Sequence, residues 1–274
     1  MIIHANVQVK NEEVLLEKIL PIWETYPIDR WVFFNDGSTD NTSNLIRSVL
    51  GTKAHIIEGE NKKYNPAKNK SEMLNYSRES DASHVVALDA DELISSNIVN
   101  EFHKMVELSS KYNILYYRFE AVGDINHHRA EPAYEKNFRN FIFPLSFTGE
   151  FTNEDMSAHN LKSPPVYLPP TLTRDAGIIH LSSINKEHYA LKNLWYKHKE
   201  YKEELMSVSE INSAYDKLIN NLEFNIEETP KKITKGISFD ASVFEEVARA
   251  KRYKEYVVQN SVPDLITFGK EYLI

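Results

Sequence analysis

Cysteine is absent from the sequence. That excludes disulfides, thiolate metal sites and thiol nucleophiles. No stretch approaches the roughly 18 uncharged apolar residues of a membrane-spanning helix. The first residues, Met1 to Val7, lack the basic start and long apolar centre of a signal peptide. A basic surplus is also missing. The formal net charge of −8 has the wrong sign for a general nucleic-acid binder, although it leaves open a metal-bridged anionic ligand. There is no internal repeat and no low-complexity tract. With no anchor in view, a soluble cytoplasmic protein is the default expectation.

What is present centres on His84-Val85-Val86-Ala87-Leu88-Asp89-Ala90-Asp91-Glu92-Leu93. An apolar, strand-like run feeds two aspartates spaced i, i+2. In an extended segment that spacing puts both carboxylates on one side of the backbone. At the carboxyl end of a buried parallel strand they would stand where open α/β sheets bind ligands. Hard oxygen ligands there suit Mg²⁺ or Mn²⁺ carrying a diphosphate. The same residues also fit a plain acidic turn or a helix cap at Asp91.

The flanking chain alternates strands and helices. Ile2 to Val9 reads as a buried strand, and Val14, Leu15, Ile19, Leu20 and Trp23 recur at helical spacing. Trp31 to Phe34 is a second strand, ending in Asn35-Asp36-Gly37-Ser38-Thr39-Asp40. Gly37 permits a tight turn, and Ser38, Thr39 or Asp40 can cap a helix carrying Leu45, Ile46 and Leu50. Residues 54–57 form a third strand. A loop with Lys62, Lys63, Lys68 and Lys70 overlaps a helix over 66–79. After the 84–93 element come a helix over 95–109 and a strand over 114–119. This order predicts a mainly parallel sheet covered by helices.

Beyond residue 120 the pattern loosens. Residues 123–132 read as a polar loop with His127 and His128, and 138–151 as short aromatic strands. Residues 163–170 read as a Pro-rich loop and 175–181 as a strand containing His180. Residues 186–206 and 240–260 have helical patterns. The division expected is a sheet domain over 1–185 and a helical extension over 186–274, packing on the sheet domain or mediating a homo-oligomer.

Three signals follow strands in order: Val9-Lys10-Asn11-Glu12-Glu13, Asn35-Asp36-Gly37-Ser38-Thr39-Asp40 and Leu88-Asp89-Ala90-Asp91-Glu92. Together they resemble the family 2-type glycosyltransferases of GT-A fold. Bacterial members with V-K-N-E-E, D-x-G-S-T-D and L-D-A-D-E, some of which build lipopolysaccharide cores, show this pattern. The resemblance is specific over about residues 5–120, loose to about 185 and absent beyond. It implies a metal-dependent, inverting transfer from a nucleoside-diphosphate sugar to a glycan, lipid-linked or protein acceptor, with Mn²⁺ or Mg²⁺ as cofactor.

Residue by residue, the resemblance implies that Val9, Lys10, Asn11 and Glu13 line the nucleotide pocket and that Asp36 contacts base or ribose. Lys68 stands near the diphosphate. Asp89 and Asp91 form the D-x-D pair, with Asp91 the direct metal ligand and His180 completing the shell. Glu154, then Asp155, is the expected catalytic base, in a segment where Asn153 departs from the histidine of some relatives. Asn35 replaces a more usual aliphatic or acidic residue. Three rivals remain at this point: a haloacid dehalogenase-type phosphatase, a nucleotidyltransferase and a non-catalytic nucleotide-sugar binder.

Overall fold

The computed structural model describes residues 1–59, 65–151, 162–190, 192–193, 197, 207–215, 217–218 and 221–245. Its first sheet runs β3-β2-β1-β4-β9, with β1 (Ile3–Val9), β2 (Arg30–Asn35), β3 (Ala54–Glu58), β4 (His84–Asp89) and β9 (Ile142–Pro144). The first four strands are mutually parallel and β9 is antiparallel to β4. β1, β2 and β4 are buried along nearly their whole length, which is why they read as continuous apolar runs rather than alternating ones.

Helices α1 (Glu13–Trp23), α2 (Thr42–Leu50) and α3 (Pro66–Glu79) connect these strands. α1 buries Leu15, Leu16, Ile19, Leu20 and Trp23 against the sheet. Trp23 stacks on Trp31 of β2 with ring centroids 5.0 Å apart. Its indole nitrogen also donates to the Glu92 carbonyl at 3.0 Å.

The second sheet runs β11-β7-β6-β10-β5, with β8 beside β6. Its strands are β5 (Glu92–Ile94), β6 (Asn113–Val122), β7 (Asp124–Arg129), β8 (Phe138–Arg139), β10 (Pro170–His180) and β11 (Ile226–Glu228). β4 and β5 are separated only by Ala90 and Asp91, so the D-x-D turn is the seam between the two sheets. β10 lies parallel to β6 and antiparallel to β5, pairing His180 with Glu120 on one side and Glu92 on the other.

Several elements differ from the sequence expectation. The helix expected over 95–109 is two, α4 (Ser96–Asn100) and α5 (Phe102–Ser109), parted at Glu101 with φ −113° and ψ 28°. Asp91 caps no helix, because β5 follows it directly. The polar loop expected over 123–132 is mostly β7, folded back on β6 across Gly123 at φ 72°. Its side chains are polar because one edge pairs with β11 near the surface. The expected strand 175–181 begins earlier, at Pro170. It bulges between Thr173 and Gly177, which moves the apolar pattern out of register there.

Of the expected helices 186–206 and 240–260, residues 186–190 are helical and Ala241–Glu245 form a 3₁₀ turn. Most of the remaining residues lie outside those described. Beyond residue 207 the structure adds α6 (Val208–Tyr215) and α7 (Lys231–Thr234). Ile233, Val243 and Phe244 are buried in the same core as β1 and α1.

Gly177 sits where β10 crosses closest to β6. A Cβ there would lie 1.9 Å from the Tyr117 carbonyl oxygen, and backbone cannot yield as a side-chain tip can. Gly177→Ala is expected to destabilise the fold by about 3 kcal/mol through overpacking, and to loosen the strand that carries His180. An unchanged urea midpoint for the variant would refute this close approach.

Candidate functional site

In the first sheet, β2 and β3 extend to one side of β1 and β4 to the other. This places a topological switch between β1 and β4, and ligands of open α/β sheets bind outside the carboxyl ends there. Register puts Asn35 beside Val9 and Asp89 beside Gln8. Asp36 and Asp89 therefore share one edge, with β1 between their strands, a spacing of roughly 10 Å at about 4.8 Å per strand.

On that edge the Lys10–Glu13 segment is buckled to the 38–42 turn. Asn11, in left-handed conformation at φ 54°, accepts the Thr39 amide at 2.7 Å and gives its own amide to the Ser38 hydroxyl at 2.9 Å. Glu13 accepts the Asn41 amide at 3.0 Å. Asp40 accepts the Thr42 amide at 3.0 Å, although the N-cap residue of α2 is Asn41, which makes no side-chain cap hydrogen bond. Asn35 ties the same turn inward. Its amide donates to Ser43 and Glu58, and its oxygen accepts the Ser38 amide. Asp36, held at the base of this buckle, is buried with Lys10 Nζ 3.8 Å away. Burial raises its pKa, and Lys10 only partly offsets that.

The D-x-D turn meets His180 across the seam. One donor atom each from Asp89, Asp91 and His180 lie within 4.8 Å of one another. A divalent ion with bonds of about 2.1 Å spans about 4.2 Å across its shell, so small inward shifts bring these donors together. Two carboxylates and an imidazole form a donor set that fits a divalent metal ion.

The outer shell is also built. Glu120 accepts from His180 Nδ1 at 2.6 Å, which turns Nε2 toward Asp91 Oδ1 at 3.4 Å. Glu120 is itself held by Arg118 at 2.7 Å and Asn137 at 3.0 Å. This carboxylate–histidine pairing is the usual way a protein orients an imidazole ligand.

Two lysines close the cluster. Lys162 Nζ contacts the Asp89 carboxylate and lies 2.8 Å from Glu92 Oε2. Lys192 Nζ lies 2.9 Å from Asp91 Oδ2. Glu92 also accepts the Asp89 amide at 2.9 Å. Buried beside these cations, the groups titrate abnormally. Burial alone would push the Asp91 carboxyl up, but Lys192 and His180 hold it well below the usual range. Burial would lower the His180 imidazole, yet Glu120 and Asp91 outweigh it and raise it to about 9. Glu120, against the same burial effect, falls to about 2 beside His180 and Arg118. Lys162 pulls Asp89 down against burial, whereas Glu92, fully enclosed, is raised by burial despite the same lysine.

Of the residues expected at the site, Val9, Lys10 and Asp36 stand together at the β1–β2 edge. Asp89, Asp91 and His180 converge across the seam. Asn11 and Glu13 hold the buckle through their side chains. Lys68 is exposed on α3 and pairs with Glu72 at 3.6 Å. Lys70, two residues further along α3, instead lines a cavity with Asn6, Gln8, Asp89 and Lys162. Glu154 and Asp155, like Lys62 and Lys63, lie outside the described residues. Lys162, Lys192, Glu92 and Glu120 were not expected. Lys162 and Lys192 approach the cluster from 70 and 101 residues away, beyond the reach of any local pattern. Arg118 and Glu120 did leave a signal, since charges inside the apolar run Leu115 to Val122 must be paired.

A family model described as Glycosyl transferase family 2 matches residues 7–153, more than half of the 274-residue chain. No curated protein matches the sequence. Among solved structures, S. aureus TarS is similar with a TM-score of 0.51 at 14% identity, covering 81% of this chain and 43% of that one. The chain therefore spans less than half the length of that TarS structure. TarS 1–349 in complex with UDP-GlcNAc gives 0.42 at 13% identity, covering 81% and 72%. M. tuberculosis glucosyl-3-phosphoglycerate synthase, in complex with Mn²⁺, UDP and glucosyl-3-phosphoglycerate, gives 0.33 at 17% identity, covering 46% of each chain. At these identities the likeness is one of fold, and the first structure carries it. The mainly parallel sheet with flanking helices is the GT-A arrangement that the motifs imply. With the family match spanning all three strand-end motifs, the chain belongs to glycosyl transferase family 2.

Proposed function

We propose that this protein moves a sugar from a nucleoside-diphosphate sugar to an acceptor hydroxyl, with inversion and with the help of Mn²⁺ or Mg²⁺. One observation carries the reading. Asp89, Asp91 and His180, contributed by two sheets and the turn between them, bring donor atoms within 4.8 Å of one another at the edge that also holds Asp36. The acceptor class is a glycan, a lipid-linked saccharide or a protein. Among the described residues no helix is long and apolar enough to cross a membrane.

In this reading Val9, Lys10 and Asp36 seat the nucleoside, and the Asn11–Glu13 buckle fixes their loop. Asp89, Asp91 and His180 hold the divalent ion, which when bound neutralises charge on the departing diphosphate. Glu120 keeps His180 oriented. Glu154 or Asp155 takes the proton from the acceptor hydroxyl as its oxygen attacks the anomeric carbon opposite the leaving group.

Calorimetry with UDP, GDP and dTDP is expected to show uptake of at least one that depends on Mn²⁺. Glu120→Gln should weaken Mn²⁺ binding about 10–100-fold by releasing the ligand imidazole. Diphosphate uptake indifferent to Mn²⁺ would end the metal reading.

The same titrations predict a pH dependence. Without metal, His180 carries a proton up to about pH 9, and coordination through Nε2 must expel it. Mn²⁺ affinity should therefore rise about tenfold per pH unit up to about 9 and then level off. A flat profile between pH 6 and 9 would exclude His180 as a ligand.

Glu154→Gln or Asp155→Asn, whichever removes the base, should lower kcat by roughly 10²–10⁴-fold while donor binding stays intact. Binding without turnover in the unaltered protein, across a panel of acceptors, would instead mark a non-catalytic binder.

A further inference from the structure

Each carboxylate of the D-x-D pair already holds an ammonium. Lys162 contacts Asp89 and Lys192 contacts Asp91. A divalent ion and an ammonium compete for the same carboxylate charge, so any metal entering this centre must dislodge both lysines or leave them weakly paired. The two are equipped differently for that. Lys162 has a side chain only 3% exposed, so it would be stranded if Asp89 were its sole counter-charge. It is also 2.8 Å from Glu92, a buried carboxylate outside the proposed ligand set. It can therefore leave Asp89 and stay neutralised. Lys192 is 26% exposed and can turn outward without the cost of burying a bare charge.

Asp91 shows the same division of labour atom by atom. Its Oδ1 faces His180 and its Oδ2 faces Lys192. The metal-ligand side and the counter-ion side are separate oxygens of one carboxylate. Beside Asp89, the cavity lined by Lys162 is also lined by Lys70, so a phosphate entering there would meet a second ammonium.

We propose that Lys162 and Lys192 are internal counter-ions that keep free divalent cations off Asp89 and Asp91, and that they pass to the donor's diphosphate when metal and nucleotide enter together. This rests on the donor reading given under Proposed function. The device makes metal and nucleotide binding mutually dependent. By linkage, whatever factor the nucleotide adds to metal affinity, the metal adds to nucleotide affinity. A protein built this way holds little metal when no donor is present.

The test compares unaltered protein with Lys192→Met and Lys162→Met. Mn²⁺ binding is measured without nucleotide by electron paramagnetic resonance, and UDP binding at saturating Mn²⁺ by calorimetry. Thermal melts establish folding. Lys162→Met leaves buried Glu92 and part-exposed Asp89 without their cation and can fail to fold, in which case Lys192→Met decides alone. Expected is Mn²⁺ binding tighter by about tenfold in Lys192→Met without nucleotide, together with UDP binding weaker by a similar factor. Both lie inside the roughly 5–150-fold span of couplings between sites. Mn²⁺ binding that is unchanged or weaker in the variant overturns the proposal, as does undetectable Mn²⁺ binding in both proteins. If the unaltered protein takes up Mn²⁺ but no nucleoside diphosphate, the donor reading fails. The Mn²⁺ comparison then still reports whether Lys192 guards Asp91.

Discussion

Asp91, Glu92 and Glu120 are buried in and beside the seam between two sheets, with part-exposed Asp89 next to them, and charge removed from water must be matched by charge of the other sign. An unanswered buried carboxylate costs several kcal/mol even after relaxation. Lys162, Lys192, Arg118 and His180 supply the answer. They arrive from β6, from the segment before β10, from the end of β10 and from the helical stretch beyond it. The cluster cannot form until the second sheet has docked on the first. The same contacts that neutralise the carboxylates therefore select the fold in which they can bind a cation.

The other half of the site follows a different logic. The segment after β1 and the turn after β2 satisfy each other's backbone amides through Asn11, Glu13, Ser38 and Asp40. Loops that face a ligand pocket carry orphan amides, and these are satisfied without help from a ligand. Asn35 belongs to this economy. Its three hydrogen bonds to Ser38, Ser43 and Glu58 give an asparagine a structural purpose at this position. It shapes the turn that presents Asp36.

The first sheet was legible because β1, β2 and β4 are buried along nearly their whole length and its turns sit at strand ends. Apolar runs such as Val85 to Leu88 and the helical spacing of α1 allow few alternatives. The second sheet was less so. β7 is written Asp-Ile-Asn-His-His-Arg, a polar string that becomes a strand only because β6 and β11 are there to pair with it. The break at Glu101 leaves no mark in an otherwise helical pattern. The D-x-D pair and His180 could be named from sequence because each ends or adjoins an apolar run. Lys162 could not, since a lysine before Ser163 and two prolines looks like any solvated loop residue until Asp89 and Glu92 are brought to it.

The seam also limits what can move. The Asp91 carbonyl accepts the Leu181 amide at 2.8 Å and the Glu92 carbonyl accepts the Trp23 indole. The Ile94 amide donates to the Tyr26 hydroxyl at 3.0 Å. The backbone of the D-x-D turn is thus pinned from α1 on one side and β10 on the other. Glu120 does the same for the imidazole. A site whose ligands are fixed in this way leaves adjustment to its longest and most flexible members, the two lysines. In the proposed reading, preorganised carboxylates with displaceable counter-ions would give a centre that changes its charge balance without changing its frame, which suits the release of a diphosphate.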